Sequence, residues 1–395
     1  MTSPTRSDPI DATASTRPPF ALSAACFVSN FDRFAITPML VLVAAGLGAP
    51  LAATVTAASG YFLAYGLSQP VWGLLSDRFG RVRLMRATLL AGAAAGFASA
   101  LMPNLALLVV TRIVAGACFG AVVPTSLTYV GDTVSARQRQ RALSDLMAAM
   151  ALGTALATAA GGLLAHLVDW RAVFAVPAAC AAVCSVAMRG LPEPPRGAAA
   201  GVRAQLGRVL RNRWALLVFG LAFVEGAVLL GTMAFLASAL EHHGVGAATA
   251  GLATAAYGVG VWVSSRLVKA LSQRRPVWQL MTVGGTLMVL GYAVVAAQVT
   301  IATVTVTALL LGGGWSFLHS SLQTWATSLA PEARGTAVAF FAAALFVGSA
   351  AASSADGVLA ERGSYPLLFG IAAVVAVPLT VAAVVGRRRC REPAD

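Results

Sequence analysis

Ionisable side chains are scarce. Asp, Glu, Lys and Arg together make up 11% of the 395 residues, against about 25% in an ordinary soluble domain. That excludes two or three soluble domains, the usual expectation for this length. Histidine occurs four times and cysteine five. Cys26, Cys118, Cys180 and Cys184 fall in apolar runs and Cys390 near the end; Cys180 and Cys184 share a helix face inside such a run, a poor place for a disulfide or a metal. Four scattered histidines offer no convergent nucleophile–base or metal cluster, so an enzyme is not indicated. The phosphate-cradling pattern Gly-x4-Gly-Lys-Ser/Thr is missing, which argues against ATP drive. No cofactor and no metal are expected. The first 19 residues lack a short apolar core with a small-residue cleavage site, so no cleaved signal peptide is expected.

What is present is apolar. Hydrophobic residues reach 58%, glycines number 38 and the mean hydropathy is +0.78. A spanning helix needs about 20 apolar residues, so twelve would use roughly 240. Twelve apolar stretches can be placed, the first near 20–45 and the last near 365–386. The expected fold is an all-α membrane protein of twelve spans: a tail at 1–19, six helices over 20–189, a linker at 190–212 rich in Pro, Gly and Arg, six helices over 213–386, and a tail at 387–395.

The net charge of +13 raises the question of a nucleic-acid partner, and the placement of the charges answers it. Arg78, Arg81, Arg83 and Arg86 form one cluster, Arg137, Arg139 and Arg141 the next. Arg189 to Arg213, Arg266 to Arg275, Arg334 and Arg387 to Arg391 follow, all in every second connection. Alternate connections carry only Arg171 and Arg362. This positive-inside pattern puts both termini in the cytoplasm of a multi-pass protein of the inner (plasma) membrane. Its expected partners are the lipid bilayer, a small-molecule substrate and protons, with no nucleic acid; a monomer is expected.

The two halves repeat. A shift of 193 lays Asp32 on Glu225, Arg81 on Arg274, Gly120 on Gly313 and Arg141 on Arg334; a shift of 195 lays Gly153, Gly162, Ala165 and Phe174 on Gly348, Gly357, Ala360 and Phe369. Parallel six-helix repeats place a substrate site near the midplane, where the halves meet.

The sharpest local signal is Gly73-Leu-Leu-Ser-Asp77-Arg78-Phe-Gly80-Arg81-Val-Arg83. Gly73 would let helices approach, Gly80 permits a tight turn, and Asp77 can accept from Arg while facing a helix N-terminus. The stretch resembles the loop signature of the major facilitator superfamily, G-x-x-x-D-R-x-G-R-[RK], with Val82 in place of the last basic residue. The resemblance extends across most of the chain. "TRIVAGACFGAVVPTSLTYVGD" is similar to the family's fourth helix: Arg112, Gly116 and Gly120 recur every four residues and make a small-residue groove, while Pro124 allows a bend. The fifth helix is similar to the antiporter pattern G-x-x-x-G-P-x-x-G-G through Gly153, Gly161 and Gly162, with Ala157 and Thr158 at its central Gly-Pro. "PEARGTA" from Pro331 resembles the loop before the eleventh helix.

Buried charge carries the mechanistic expectation. Asp32, Arg33, Arg112 and Glu225 should lie inside the bilayer, where each charge costs roughly 2.5–3.5 kcal/mol on insertion scales. They must face the interior, pair or become neutral. Burial favours the neutral form of a carboxylate and a nearby Arg the charged form, so an aqueous path that opens and closes can load and release a proton. The family resemblance assigns that role to Asp32 and Arg112, with Glu225 as a second coupling acid or a site for a cationic group. A static pair, Asp32 with Arg33 or with Arg112, is the structural alternative. Asn30, Arg33, Tyr61, Tyr65, Glu225, Trp315, His319 and Gln323 are the expected cavity residues, with Trp262 a further aromatic candidate. Asp356 would line the outer vestibule or lie solvated, and Glu241-His242-His243 reads as a solvated turn rather than a metal site. The resemblance implies secondary active transport by alternating access, nearest to proton-coupled drug and metabolite efflux (antiport). Proton-coupled uptake of a nutrient and a non-transporting sensor are the alternatives.

Overall fold

The computed structural model describes residues 19–134, 136–194, 207, 209–329 and 334–390. Over these the chain forms long helices that run to and fro. The first six are α1 (Phe20–Leu47), α2 (Leu51–Phe79), α3 (Arg81–Leu101), α4 (Leu105–Thr133), α5 (Ala136–Leu167) and α6 (Ala172–Gly190). The second six are α7 (Arg213–His242), α8 (Ala247–Leu271), α9 (Val277–Ala297), α10 (Ile301–Ser328), α11 (Arg334–Glu361) and α12 (Tyr365–Arg389). Eleven are long and apolar enough to cross a membrane. The twelfth, α2, has 29 residues; it is clasped between α4 and α11 and buries the polar side chains of Thr54, Ser59 and Gln69. Its outward residues Leu63, Leu67, Val71 and Leu74 recur at helical spacing and are exposed. The same holds for Leu367, Ile371, Val374, Val377 and Val381 of α12. Apolar side chains outside and charges inside invert the soluble pattern and suit a lipid surround.

Short polar caps start several helices. Asn104 accepts from Leu107 N at 3.0 Å, and Thr300 and Thr303 form a reciprocal capping box. Asn212 accepts from Trp214 N at 3.0 Å and donates to the Leu329 carbonyl at 3.1 Å, tying α7 to the end of α10.

The repeat expected from the sequence reappears as packing. In the first half α1 lies on α5, α2 on α4 and α3 on α6; in the second α7 lies on α11, α8 on α10 and α9 on α12. Glycine contacts repeat with it. A side chain at Gly153 would meet the Phe27 carbonyl and one at Gly348 the Phe223 carbonyl; Gly116 faces the Tyr61 carbonyl as Gly312 faces that of Tyr257. Four helices are interrupted, again in matching places. A 3₁₀ turn at Thr37–Met39 breaks α1, and a break between Phe119 and Val122 falls in α4. In the second half, π turns occupy Ala227–Gly231 of α7 and Trp315–His319 of α10. The break in α4 comes at Gly120 and Ala121, just before Pro124.

The halves touch through α2 on α11 and α5 on α8. These contacts run from mid-helix, where a Cβ at Gly66 would lie 2.5 Å from Phe346 Cβ and one at Gly258 would meet Ala155 Cβ, to the end away from the chain termini. A Cβ at Gly251 would lie 2.5 Å from the Thr158 carbonyl oxygen, one at Gly162 2.6 Å from that of Ala247, and one at Gly357 3.5 Å from Val55 Cβ. At the opposite end α8 has no buried residue from Trp262 to Ala270. The molecule is therefore sealed at the end remote from its termini.

Three expectations are corrected. Gly73 is no point of close approach, since nothing lies within 4 Å of a Cβ built there. The motif carrying Asp77 is helix rather than loop, with Gly80 alone joining α2 to α3 at φ 102°. The carboxylate seated on the α3 N-terminus is that of Glu193, not Asp77. The tail before residue 19, the linker residues 195–206 and the Pro331 loop lie outside the described residues.

Candidate functional site

Asp32 on α1 and Arg112 on α4 are brought together in the first half. Arg112 Nη2 donates to Asp32 Oδ2 at 2.8 Å, Nη1 to Oδ1 at 3.2 Å, and Nη2 also to the Asp32 carbonyl at 3.2 Å. Arg112 is fully buried and Asp32 is 1% exposed. Two parallel charge-assisted bonds fix both side chains. The Arg112 guanidinium lies 4.6 Å from the Tyr61 ring and 4.7 Å from Phe174. The α4 glycines make this possible: Gly116 and Gly120 admit the α2 backbone at Tyr61 and Tyr65, which draws α4 against α2.

Arg33 follows Asp32 but points elsewhere, as one residue is about 100° of helix. Its Nη2 donates to Asn30 Oδ1, and Asn30 Nδ2 donates to the Cys26 carbonyl at 2.8 Å. Phe34, Tyr65 and Phe346 surround the guanidinium at 4.6, 5.0 and 5.2 Å. Phe346 belongs to α11, so Arg33 stands at the junction of the halves.

The second half holds a matching buried acid. Glu225 Oε2 is 3.1 Å from His319 Nδ1, joining α7 to α10. The His319 ring stacks on Trp315, centroids 3.6 Å apart, and lies 5.3 Å from the Phe341 ring. The α7 π turn begins two residues after Glu225, and the α10 π turn ends on His319 itself. A π turn adds a residue to the helical turn and frees backbone carbonyls, a device common at functional sites. Here the Tyr292 hydroxyl donates to the Val228 carbonyl inside the α7 turn. Tyr257 of α8 is buried nearby. Beyond it, toward the sealed end, a void of only about 20 Å³ remains among Phe34, Thr37, Thr158, Leu230 and Tyr257; that is room for one water.

Tyr61 and Tyr65 stack at 6.1 Å beside the two arginines, and Gln323 sits half-buried one turn beyond His319. Trp262 is not a cavity wall: it is exposed and lies under the Arg266 guanidinium at 3.4 Å. Asp356 accepts from Thr232 Oγ1 at 2.7 Å between α11 and α7. Glu241 and His242 border a cavity of about 170 Å³ at the sealed end with Ser238, Glu361 and Tyr365. Among the described residues no cluster of three metal-ligating side chains occurs, and the five cysteines are free.

At the other end the motif residues form a charge network. Arg81 pairs with Asp77, donates from Nε to Asp132 Oδ2 at 3.0 Å and from Nη1 to Ser76 Oγ at 3.3 Å. Glu193 accepts from Val82 N and Arg83 N, each at 3.1 Å, and fills the space a side chain at Gly80 would need. Arg78 lies over the Phe79 ring. Sequence reasoning missed Glu193, Asp132, Phe346 and Tyr257. Glu193 left one signal, an acid alone between Arg189 and Arg196; the other three become relevant only through contacts between distant helices.

The sequence profile of the Major Facilitator Superfamily matches residues 22–353 and again 222–394. The chain belongs to this superfamily. It is a multi-pass membrane transporter, not an enzyme. A chloramphenicol resistance protein of Streptomyces lividans is 26% identical over 374 residues, 92% of this chain and 95% of that protein. A triacylglyceride transporter of Mycolicibacterium smegmatis is 32% identical over 168 residues, 42% of this chain but 30% of the relative's own length. Among solved structures, a point mutant of a peptide transporter superposes with a TM-score of 0.77 at 16% identity, covering 97% of this chain and 99% of that one. A bacterial homolog of the human lysosomal transporter Spinster, inward-facing and unoccupied, gives 0.76 at 15% identity, covering 93% and 96%. At such identities the likeness is one of fold.

Proposed function

We propose that this superfamily member is a proton-coupled exporter of small organic molecules, working as a monomer by alternating access in the plasma membrane with both termini cytoplasmic. Residues 20–189 and 213–386 act as the two moving halves, joined by 190–212. The observation that carries the reading is the doubly hydrogen-bonded Asp32–Arg112 pair, buried inside the first half. A lone anion there is costly, so Asp32 is held charged by Arg112 or gains a proton when the pair separates. Protonation at the outside releases Arg112; loss of the proton to the inside restores the pair. Glu225, at the place matching Asp32 in the other half, forms a second acid–base couple with His319. The arginine clusters on alternate connections support the cytoplasmic termini, and the relatives that are a chloramphenicol resistance protein and efflux pumps support export.

The test is transport by the purified chain in proteoliposomes. One pH unit supplies about 1.4 kcal/mol per proton, enough for about tenfold accumulation. An imposed pH gradient is expected to drive a transported compound against its concentration gradient, and Asp32→Asn to abolish that uphill phase while leaving downhill exchange. Uphill transport by Asp32→Asn under a pH gradient alone overturns the assignment of Asp32.

A further inference from the structure

The charges at the midplane do not close into pairs. Asp32 has both carboxylate oxygens on Arg112, and Glu225 is engaged through Oε2 by His319, with its Oε1 buried without a partner. Arg33 is left over. Among the described residues its guanidinium has one hydrogen-bond acceptor, Asn30 Oδ1, and no carboxylate in ion-pair range; its Nε is buried without a partner. The residue is 8% exposed. An arginine does not lose its proton, so this cation stays charged in a site that strongly disfavours an unpaired charge. The faces of Phe34, Tyr65 and Phe346 offset part of the cost, yet a ring face is only a weak acceptor for the N–H groups of the fork. The Tyr61 hydroxyl, a second buried donor without a partner, belongs to the ring stacked on Tyr65.

We infer that Arg33 is the substrate-recognition residue for an organic anion, specifically a carboxylate carried on an aromatic body. The inference rests on the reading of the junction of the halves as the transport site. A carboxylate matches the planar fork with two parallel bonds, and the ring walls supplied by α1, α2 and α11 suit a flat apolar body. Because Phe346 lies across the junction of the halves, a ligand on Arg33 contacts both, as a substrate coupled to their movement must. Unpartnered donors on the first half thus set the sign of the substrate. Asp32 and Arg112 stay free for the proton.

Equilibrium dialysis of the detergent-purified full chain against radiolabelled benzoate, salicylate and cinnamate, with the corresponding amides as competitors, tests this at a single fixed pH. At least one carboxylate is expected to bind saturably, with its amide about tenfold weaker or more, the loss of a charge-assisted contact. Arg33→Gln should weaken the carboxylate by a similar factor, and Arg33→Lys, which keeps the charge, should lose less. Elution as a single symmetrical species checks that each variant is folded, and the acid-against-amide comparison on the parent needs no variant. The proposal is overturned if none of the three acids binds saturably, if amides bind as tightly as acids, or if a folded Arg33→Gln binds them like the parent. Without a pH gradient in the assay, failure of proton coupling and failure of anion recognition are read separately.

Discussion

Asp32 and Arg33 are neighbours in sequence, and the fold sends them to different partners. Asp32 reaches across to Arg112, 80 residues away, and Arg33 turns to the rings of Tyr65 and Phe346. Removing one member of a buried pair leaves an uncompensated charge, at a cost of about 3–5 kcal/mol. Asp32→Asn should therefore lower the melting temperature of the purified protein more than Arg112→Gln, because it strands an arginine that cannot shed its charge, whereas a stranded buried carboxylate can take up a proton. The double variant should regain much of the stability lost in Asp32→Asn, because neither charge remains, yet stay inactive in uphill transport. Melting temperatures that simply add in the double variant would show that the two residues are not energetically coupled. Which residues carry buried charge was legible in the sequence, since Asp32, Arg112 and Glu225 interrupt apolar runs. The residues alone left both Arg33 and Arg112 open as partners of Asp32, and only the family resemblance favoured Arg112. The choice between Arg33 and Arg112 for Asp32 is made by the angle between successive side chains and by the α4 glycines that set how near Arg112 comes.

At the scale of the element, the joint between α2 and α3 was only partly readable. Gly80 marked the turn, and its φ of 102° is a conformation that other residues rarely adopt. The acid that completes the joint lies 111 residues from Val82 in sequence, beyond the reach of a local motif. Glu193 satisfies two of the orphan N–H groups at the α3 start and places a negative charge at the positive end of its dipole. Replacing it with Ala should cost about 1 kcal/mol locally. Hydrogen exchange at the Val82 and Arg83 amides should then speed up about fivefold or more, with the middle of α3 unchanged. Unaltered exchange at these two amides would mean that Glu193 is not their acceptor in the membrane protein. The π turns of α7 and α10 gave no sign in the sequence, because hydrophobic periodicity over five residues is the same for a π turn and an α turn. They are set by tertiary contacts such as the Tyr292 hydroxyl on the Val228 carbonyl and the Ser316 hydroxyl on that of Val261.

For the whole molecule, twelve helices, two halves and a repeat were readable because each is written in periods longer than any single contact. The repeat returns in three dimensions as exchanged neighbours: α2 meets α11 where α8 meets α5, and Gly357 faces Ala52 as Gly162 faces Ala247. Symmetry of this kind allows the seal to be held at either end by equivalent contacts, and here it is held at the end remote from the termini. A Cβ on Gly357 would stand 3.5 Å from Val55 Cβ, within the range of about 3.5–4.5 Å spanned by a disulfide. Cysteines at both positions, Val55→Cys with Gly357→Cys, should therefore cross-link under mild oxidation and pin α2 to α11. If transport requires the sealed end to part, the oxidised protein stops moving substrate and dithiothreitol restores it. Val55→Cys alone, oxidised in the same way, controls for the five native thiols. A fully cross-linked protein that transports at the rate of its reduced form would rule out separation of the halves at this contact as a step in the cycle.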